Sequence, residues 1–233
     1  MSVVNLEELQ TRTAFVREVA VQGQAYAVEG TEGLARVRSP RRKRAMVELM
    51  WSSHAEAARW ADVLVSAPRI ITLPVETLLT RHLPKLAADN HLVGTDWSDR
   101  PAEPELAAAD LDQHLRRALL DKLVSTAAKT RQVWLLKTGD VPATLLTRHP
   151  AGGEALPVFA DRQCAEKAID GPWAHTVATR VPIADFLQKT LIWCIETRRR
   201  IAPAYVPGPG LVELPPWDMK ALLSGHTPIR RVA

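Results

Sequence analysis

The sequence has few cysteines and no long apolar run, and both shortages limit what the protein can be. Cys164 and Cys194 are the only cysteines among 233 residues, which excludes a disulfide scaffold and a four-cysteine metal site. No window approaches the ~18 consecutive apolar residues of a membrane-spanning helix. Residues 1–10 are polar and lack the apolar core of a secretion signal. We therefore expect a cytoplasmic protein without a membrane partner.

Catalytic and phosphate-binding motifs are also missing. The sequence contains no glycine-rich phosphate loop and no G-x-S-x-G elbow, and its Pro-Gly-Pro-Gly segment at 207–210 is interpreted as a stiff loop. None of the seven histidines lies four residues from another, so we expect isolated surface histidines. The sequence thus predicts no catalytic residue, cofactor or metal. A cleft site assembled from distant residues would need no such motif, and an enzyme stays a third alternative.

What the sequence does contain is an internal repeat at an offset of 108 residues. Composition is that of a globular protein, with 46% hydrophobic and 24% charged residues, and the length suits two domains of about 110 residues. Large apolar residues meet large apolar residues from residue 23 to 115 without a gap, although identities are few. Clear pairs are Trp51 with Phe159, Pro74 with Pro182, Leu83 with Leu191, and Glu105 with Glu213. We predict two copies of one domain, at residues 1–115 and 116–233.

Local patterns give both copies the same order of elements. We predict an opening helix with Asn5 as its N-cap, a strand at 24–28 or 132–136 that begins a hairpin, and a short helix after Ser53 or Asp161. A further strand, a long helix and a last strand follow in each copy. This order predicts an α+β fold, in which each copy is a small, mostly antiparallel sheet covered by helices.

Two details of these helices are predicted from side-chain patterns. In the short helix of the first copy, we expect Ala57, Ala58 and Trp60 to face inward. Pro74 and Pro182 are expected in the first turn of the long helix, where a missing N–H costs nothing.

The junction between the copies contains no glycine or proline. A helix predicted at 105–115 runs directly into one predicted at 116–129. We therefore expect one continuous helix that joins the copies rigidly, and a break between Asp112 and Leu120 would contradict this.

Three segments of the second copy, QVWLLKTGD, LPVFADRQCAEKA and VPIADFLQKTL, resemble the bacterial family known as domain of unknown function 2750. The features that carry the resemblance include Trp134, the strand end at 156–159, and Ala165 with Ala168. It covers nearly all of the second copy, whereas the first copy is looser and has Leu78 where phenylalanine is expected. The resemblance implies a tandem of two such domains. It brings no activity, and the matching residues are of core type.

Charge is distributed unevenly along the chain. Residues 1–115 carry 13 Lys+Arg and 16 Asp+Glu, for a net −3, and residues 116–233 carry 17 and 10, for a net +7. Within the acidic half, a basic run lies at the predicted hairpin around Ser39 and Pro40. Its members are Arg36, Arg38, Arg41, Arg42, Lys43 and Arg44. The run is either a solubilising loop or a surface that binds an acidic protein or nucleic acid. It contains no aromatic residue for stacking single-stranded bases.

The second copy offers other candidates. Arg198, Arg199 and Arg200 are expected to end its long helix, where cations favour the dipole, and Arg230 and Arg231 form a basic tail. Trp217 pairs with Ala109 in the repeat, so it either caps the sheet or anchors an interface.

The two cysteines receive different interpretations. Cys194 pairs with Leu86 and is expected in the core, as a small hydrophobic residue. Cys164 pairs with Glu56 at a polar position, and nothing nearby guarantees the lowered pKa of a reactive thiol.

These observations predict a non-enzymatic module that binds a protein partner, with an immunity-type role as one form of that function. Binding would use the basic run or the loop of Trp217. The alternative is a nucleic-acid-binding protein that uses the basic run and the helix-end arginines.

Overall fold

The computed structural model describes residues 6–98, 104–147, 149–150, 152–170, 173–208 and 210–225. The predicted cap at Asn5 and the predicted tail at Arg230 and Arg231 lie outside these residues. The chain forms two compact units. Unit 1 comprises Met1–Ala118 together with Pro207–Gly210, and unit 2 comprises Leu119–Val206 and Leu211–Ala233.

Unit 1 alternates helices with short strands. Its elements are α1 (Leu6–Gln22), β1 (Gln24–Gly30), β2 (Gly33–Leu34), β3 (Arg36–Arg38), β4 (Met46–Met50), α2 (His54–Leu64), β5 (Arg69–Pro74), α3 (Val75–Thr77), a π-helical segment (Leu78–His82), α4 (Leu83–Ala88), β6 (Leu92–Thr95), β7 (Glu105–Ala107) and the start of α5 (Ala108–Thr130).

The strands of unit 1 form two small sheets. In the first, β1 pairs antiparallel with β2 and β5. In the second, β4 pairs antiparallel with β3 and parallel with β6, and β7 adds antiparallel to β6. An antiparallel bridge between Tyr26 and Trp51 connects the two sheets. Only the β4–β6 pair is parallel among the strand pairs of the described part of unit 1.

Unit 2 repeats this order after α5. Its elements are β8 (Gln132–Thr138), β9 (Val141–Pro142), β10 (Leu145–Leu146), β11 (Glu154–Val158), α6 (Arg162–Lys167), β12 (Val177–Pro182), α7 (Ile183–Asp185), a second π-helical segment (Phe186–Thr190), α8 (Leu191–Glu196), β13 (Arg200–Pro203) and α9 (Pro216–Leu223). The sheets have the orders β12-β8-β9 and β10-β11-β13, with β11 and β13 parallel.

The offset of 108 relates the bounds of most elements. Adding 108 to Leu78–His82 gives the second π-helical segment, Phe186–Thr190, and the same shift carries β5 onto β12. Tyr26 and Trp51 form the same antiparallel bridge as Trp134 and Phe159. A π-helical segment is rare, so its recurrence at equivalent positions shows that the copies share one backbone plan. The predicted α+β class is confirmed.

The continuous helix is also confirmed, with a corrected start. α5 runs unbroken through Ala108–Thr130, but Glu105–Ala107 forms strand β7 where we expected helix. Pairing with β6 satisfies the backbone of this segment and overrides its helix propensity. In unit 2 the equivalent segment makes only a bridge from Leu214 to Ile201, because Pro215 and Pro216 lack N–H donors.

Two smaller predictions about helices need correction. Ala57 is buried in α2, but Ala58 is exposed and Ala61 faces the core instead. Pro74 and Pro182 are N-cap residues and end strands β5 and β12, one position before the expected place. The fixed φ of proline fits an extended N-cap as well as a first helical turn.

Candidate functional site

The basic run lies on the hairpin between β3 and β4, where Ser39 organises the turn. The Ser39 hydroxyl accepts hydrogen bonds from the backbone N–H groups of Arg41 (3.1 Å) and Arg42 (2.8 Å). It donates to Oε2 of Glu105 at 2.6 Å. The Ser39 N–H closes the turn on the carbonyl of Ala45 at 2.9 Å. The turn therefore has a defined backbone rather than being a loose loop.

We call residues 38–44 the basic turn. Five of its cationic side chains are exposed to solvent, namely Arg38, Arg41, Arg42, Lys43 and Arg44. They project from one short hairpin, so their positive potentials add.

Unit 2 has the same hydroxyl anchor at the start of its turn, and its sequence at 146–152 carries one arginine, Arg148, against five cations at 38–44 in unit 1. Thr147 takes the place of Ser39: its hydroxyl accepts from the His149 N–H at 3.0 Å and hydrogen-bonds Glu213, which is the repeat partner of Glu105. The Thr147 N–H donates to the carbonyl of Gly153 at 3.1 Å, as Ser39 does to Ala45. The hydroxyl and the glutamate are thus parts of the shared scaffold.

Arg44 occupies a backbone conformation that favours glycine. Its φ is 67°, and Gly152 has a φ of 69° at the equivalent position of unit 2. A left-handed conformation costs an L-residue about 1 kcal/mol. Unit 1 therefore keeps a cation at a position where glycine would fit without strain.

Arg36 belongs to a different cluster, which we call the ionic triad. The Arg36 Nε and its terminal nitrogen contact Oε2 of Glu48 at 2.9 and 2.8 Å, and Nε2 of His82 hydrogen-bonds the other carboxylate oxygen. Glu48 is fully buried in β4. Burial raises the pKa of its carboxyl, but the His82 and Arg36 contacts outweigh this and hold the pKa below its ordinary value.

Our expectation of isolated surface histidines is wrong for His82. The sequence carried a signal for the ionic triad: Glu48 interrupts an apolar strand, and its repeat partner is Leu156. Arg36 and His82 correspond to Thr144 and Thr190, so the whole triad is confined to unit 1.

A partly buried acid of unit 1 is Asp96. Its carboxylate accepts from the Ser52 N–H at 2.6 Å and the Ser52 hydroxyl at 2.9 Å. Burial nonetheless raises the pKa of Asp96 above its ordinary value. The equivalent residue in unit 2 is Ala204.

Arg198, Arg199 and Arg200 do not end the long helix of unit 2 as we expected. Helix α8 ends at Glu196, so all three follow the helix, and Arg200 begins β13. Arg199 lies 2.7 Å from Oε2 of Glu154 and 4.4 Å from the centre of the Trp193 ring. Arg200 donates to the Glu213 carbonyl at 2.9 Å. Two of the three guanidinium groups are thus held by contacts inside unit 2.

Trp217 lies in the first turn of α9 and is 60% exposed. The interpretation as a cap of the sheet is wrong, because Met219 is the α9 residue that is buried in the core of unit 2. The ring is accessible to a partner.

The cysteines offer no reactive thiol. Cys194 is buried as expected, and desolvation raises its pKa to about 12. Cys164 is exposed overall, yet desolvation of its thiol and the neighbouring Asp161 raise its pKa to about 11. Both thiols are protonated at neutral pH.

Metal binding and membrane spanning each require a particular grouping of side chains. Among the described residues, no three His, Cys, Asp or Glu side chains are placed to share a metal ion. No helix in the described ranges is both long and apolar enough to cross a membrane.

The repeated order of helices and strands defines a tandem of two α+β domains. The chain belongs to the family described as "Protein of unknown function (DUF2750)", whose model matches twice, at residues 12–115 and 120–223. The resemblance stated from the sequence is thereby confirmed for both copies.

Solved structures add only distant likenesses. Tic22 from Anabaena, described with protein transport, is 12% identical with a TM-score of 0.24, and the match covers 88% of this chain and 94% of that one. Tic22 from Plasmodium falciparum is 9% identical with a TM-score of 0.23, covering 73% and 84%. No curated protein matches the chain.

Proposed function

We propose that the chain is a non-enzymatic interaction protein, and that the basic turn of unit 1 binds an acidic surface of a partner protein. The observation that carries the proposal is the difference between two equivalent turns. Ser39 and Thr147 make equivalent anchor contacts, but only the turn of unit 1 carries five cations, all of them exposed. The fold therefore does not require these charges.

The strain at Arg44 supports the same proposal. The equivalent residue, Gly152, takes this conformation without cost, whereas Arg44 does not. Left-handed φ values also occur at Arg131 and Arg198 of unit 2, so the strain at Arg44 counts here because it falls among five exposed cations.

A protein partner is favoured over nucleic acid by the composition of the turn. Its exposed side chains are those of arginine, lysine and proline, with no aromatic ring on which a base could stack. Clustered cations speed association with an acidic protein and set its specificity. An immunity-type role, in which the protein blocks a cognate toxin, is one form of this function.

The first experiment is gentle affinity purification from the native host, at low and at high salt. We expect one protein at fixed stoichiometry, identified by native mass spectrometry, without excess absorbance at 260 nm. The matched variant replaces Arg41, Arg42, Lys43 and Arg44 by Glu. This variant should no longer capture the partner protein.

Two results would overturn the proposal. Capture of nucleic acid that is released by salt would favour the alternative function. Equal capture of the protein partner by the charge-reversed variant would place the binding surface elsewhere, and Trp217→Ala would then test the exposed face of α9.

A further inference from the structure

Unit 1 contains an ion pair that lies beneath a distant segment of the chain. Arg116 and Asp112 face each other one turn apart on α5, with Nε 3.0 Å from Oδ2. They are only 5% and 8% exposed. Burying two charges is costly unless further hydrogen bonds satisfy them, so the cover of this pair matters.

The cover consists of Pro207–Gly210, which belongs to unit 1 although it is far away in sequence. A terminal nitrogen of Arg116 donates to the Pro207 carbonyl at 3.4 Å and to the Leu79 carbonyl at 3.5 Å. Arg116 therefore links the cover to the π-helical segment that contains Leu79.

The two glycines of the cover are required by this close approach. A Cβ at Gly208 would lie 2.7 Å from an Arg116 nitrogen, and Gly208 also has a φ of +134°. A Cβ at Gly210 would lie 2.0 Å from Oδ2 of Asp112 and 2.9 Å from Nε of Arg116. All three distances are below 3.0 Å, so a side chain at either position would displace the Arg116 or Asp112 side chain and disturb the ion pair. Glycine at both positions lets the backbone of the segment approach the pair without this shift.

We propose that Pro207–Gly210 is a strap for which unit 1 carries a dedicated binding surface, formed by Asp112, Arg116 and the Leu79 carbonyl. Unit 1 is then a discontinuous domain, and Arg116 reaches the Pro207 carbonyl only when the strap is seated. The equivalent residues of unit 2, Lys220 in α9 and Ser224 just after it, cannot form such a pair, so this surface is a property of the first copy.

The test uses the full chain and the Nε–H signal of Arg116 in ¹⁵N NMR, assigned with Arg116→Lys. In the wild type we expect this proton to exchange slowly with solvent, because it is buried against Asp112. Gly210→Ala should displace the strap and accelerate exchange at least tenfold. The control is Gly139→Ala, whose Cβ would meet open space.

A rescue experiment separates displacement of the strap from general damage to the fold. The peptide Val-Pro-Gly-Pro-Gly-Leu, the sequence of residues 206–211, should restore slow exchange when added to the Gly210→Ala protein. Millimolar concentrations should be needed, about the effective concentration of a tethered segment. The same peptide with alanine at its second glycine should not restore it.

Three results would overturn the proposal. The first is an Arg116 proton that exchanges rapidly in the wild type. The second is a Gly210→Ala protein that matches the Gly139→Ala control. The third is equal rescue by both peptides.

Discussion

The two units place different chemistry on one backbone plan. At the register of β4 and β11, unit 1 buries Glu48 and unit 2 buries Leu156. At the turn, unit 1 has Arg44 where unit 2 has Gly152. Strands β4 and β11 have equivalent bounds, and β10 is only one residue shorter than β3. The polar groups of unit 1 are therefore additions to a scaffold that works without them.

Unit 2 also shows what the scaffold itself requires. The turn hydroxyl and its glutamate occur in both copies, as Ser39 with Glu105 and Thr147 with Glu213. Apolar pairs such as Leu83 with Leu191 are buried in both units. Comparing equivalent positions therefore separates residues that hold the fold from residues available for function.

The largest effect on stability is expected from removing only the carboxylate of the ionic triad. Glu48→Leu copies unit 2 at one position but leaves the guanidinium of Arg36 and the ring of His82 without their acceptor. We expect a loss of about 2 kcal/mol, because both partners keep some access to water. Urea unfolding followed by hydrogen exchange, resolved by unit, measures it.

The control for this variant copies unit 2 completely. Combining Arg36→Thr, Glu48→Leu and His82→Thr should return stability to within about 1 kcal/mol of the wild type, since an apolar group can replace a buried ion pair. A triple variant as unstable as Glu48→Leu would contradict the idea that the triad is an addition.

The pH dependence of unit 1 should differ from that of the triple variant. The folded pKa of Glu48 lies below the ordinary value of 4.5, so its contribution is complete above that pH and is lost as pH falls through the folded pKa. The free energy of unfolding of the wild type should therefore fall relative to that of the triple variant as the pH drops below about 4.5. Parallel stability curves for the two proteins would refute this assignment.

Loss of the turn hydroxyl should lower the free energy of unfolding by about the same amount in both copies. Ser39→Ala and Thr147→Ala each remove a hydroxyl that accepts from backbone N–H and hydrogen-bonds a partly buried glutamate. Each should therefore destabilise its own unit by about 1 kcal/mol. Hydrogen exchange resolves the two units. Ser39→Thr, which copies unit 2, is the matched control and should be close to neutral. A loss in only one unit would show that the anchors are not equivalent.

The smallest effect is expected at Arg44, and it should be a gain. Arg44→Gly relieves the left-handed strain but adds freedom to the unfolded chain, for a net stabilisation of about 0.5 kcal/mol. Thermal unfolding detects this change. Partner binding should weaken at the same time, because one of five cations is lost, and unchanged binding would exclude Arg44 from the surface.

The sequence was informative where local and repeated patterns agree. The continuous α5 follows from the lack of glycine and proline between residues 105 and 129, and the pairing of large apolar residues located both cores. Strand β7 was mistaken for helix because its structure depends on pairing with β6, which no local pattern reveals.

The remaining misses involve residues far apart in the chain. His82 lies 34 residues from Glu48, and Pro207 lies 91 residues from Arg116. Contacts over such separations are set by the packed fold. Glu48 stood out within an apolar strand, but spacing could not pair it with Arg36 and His82 or place the strap. The basic turn was found because its residues are contiguous.

The most direct test of the account exchanges the two turns. Residues 40–44, Pro-Arg-Arg-Lys-Arg, are replaced by the Arg-His-Pro-Ala-Gly of residues 148–152, and affinity for the partner isolated from the native host is measured by calorimetry. The account predicts an unchanged or slightly raised melting temperature and at least a hundredfold weaker binding. Full binding by the exchanged chain would contradict it.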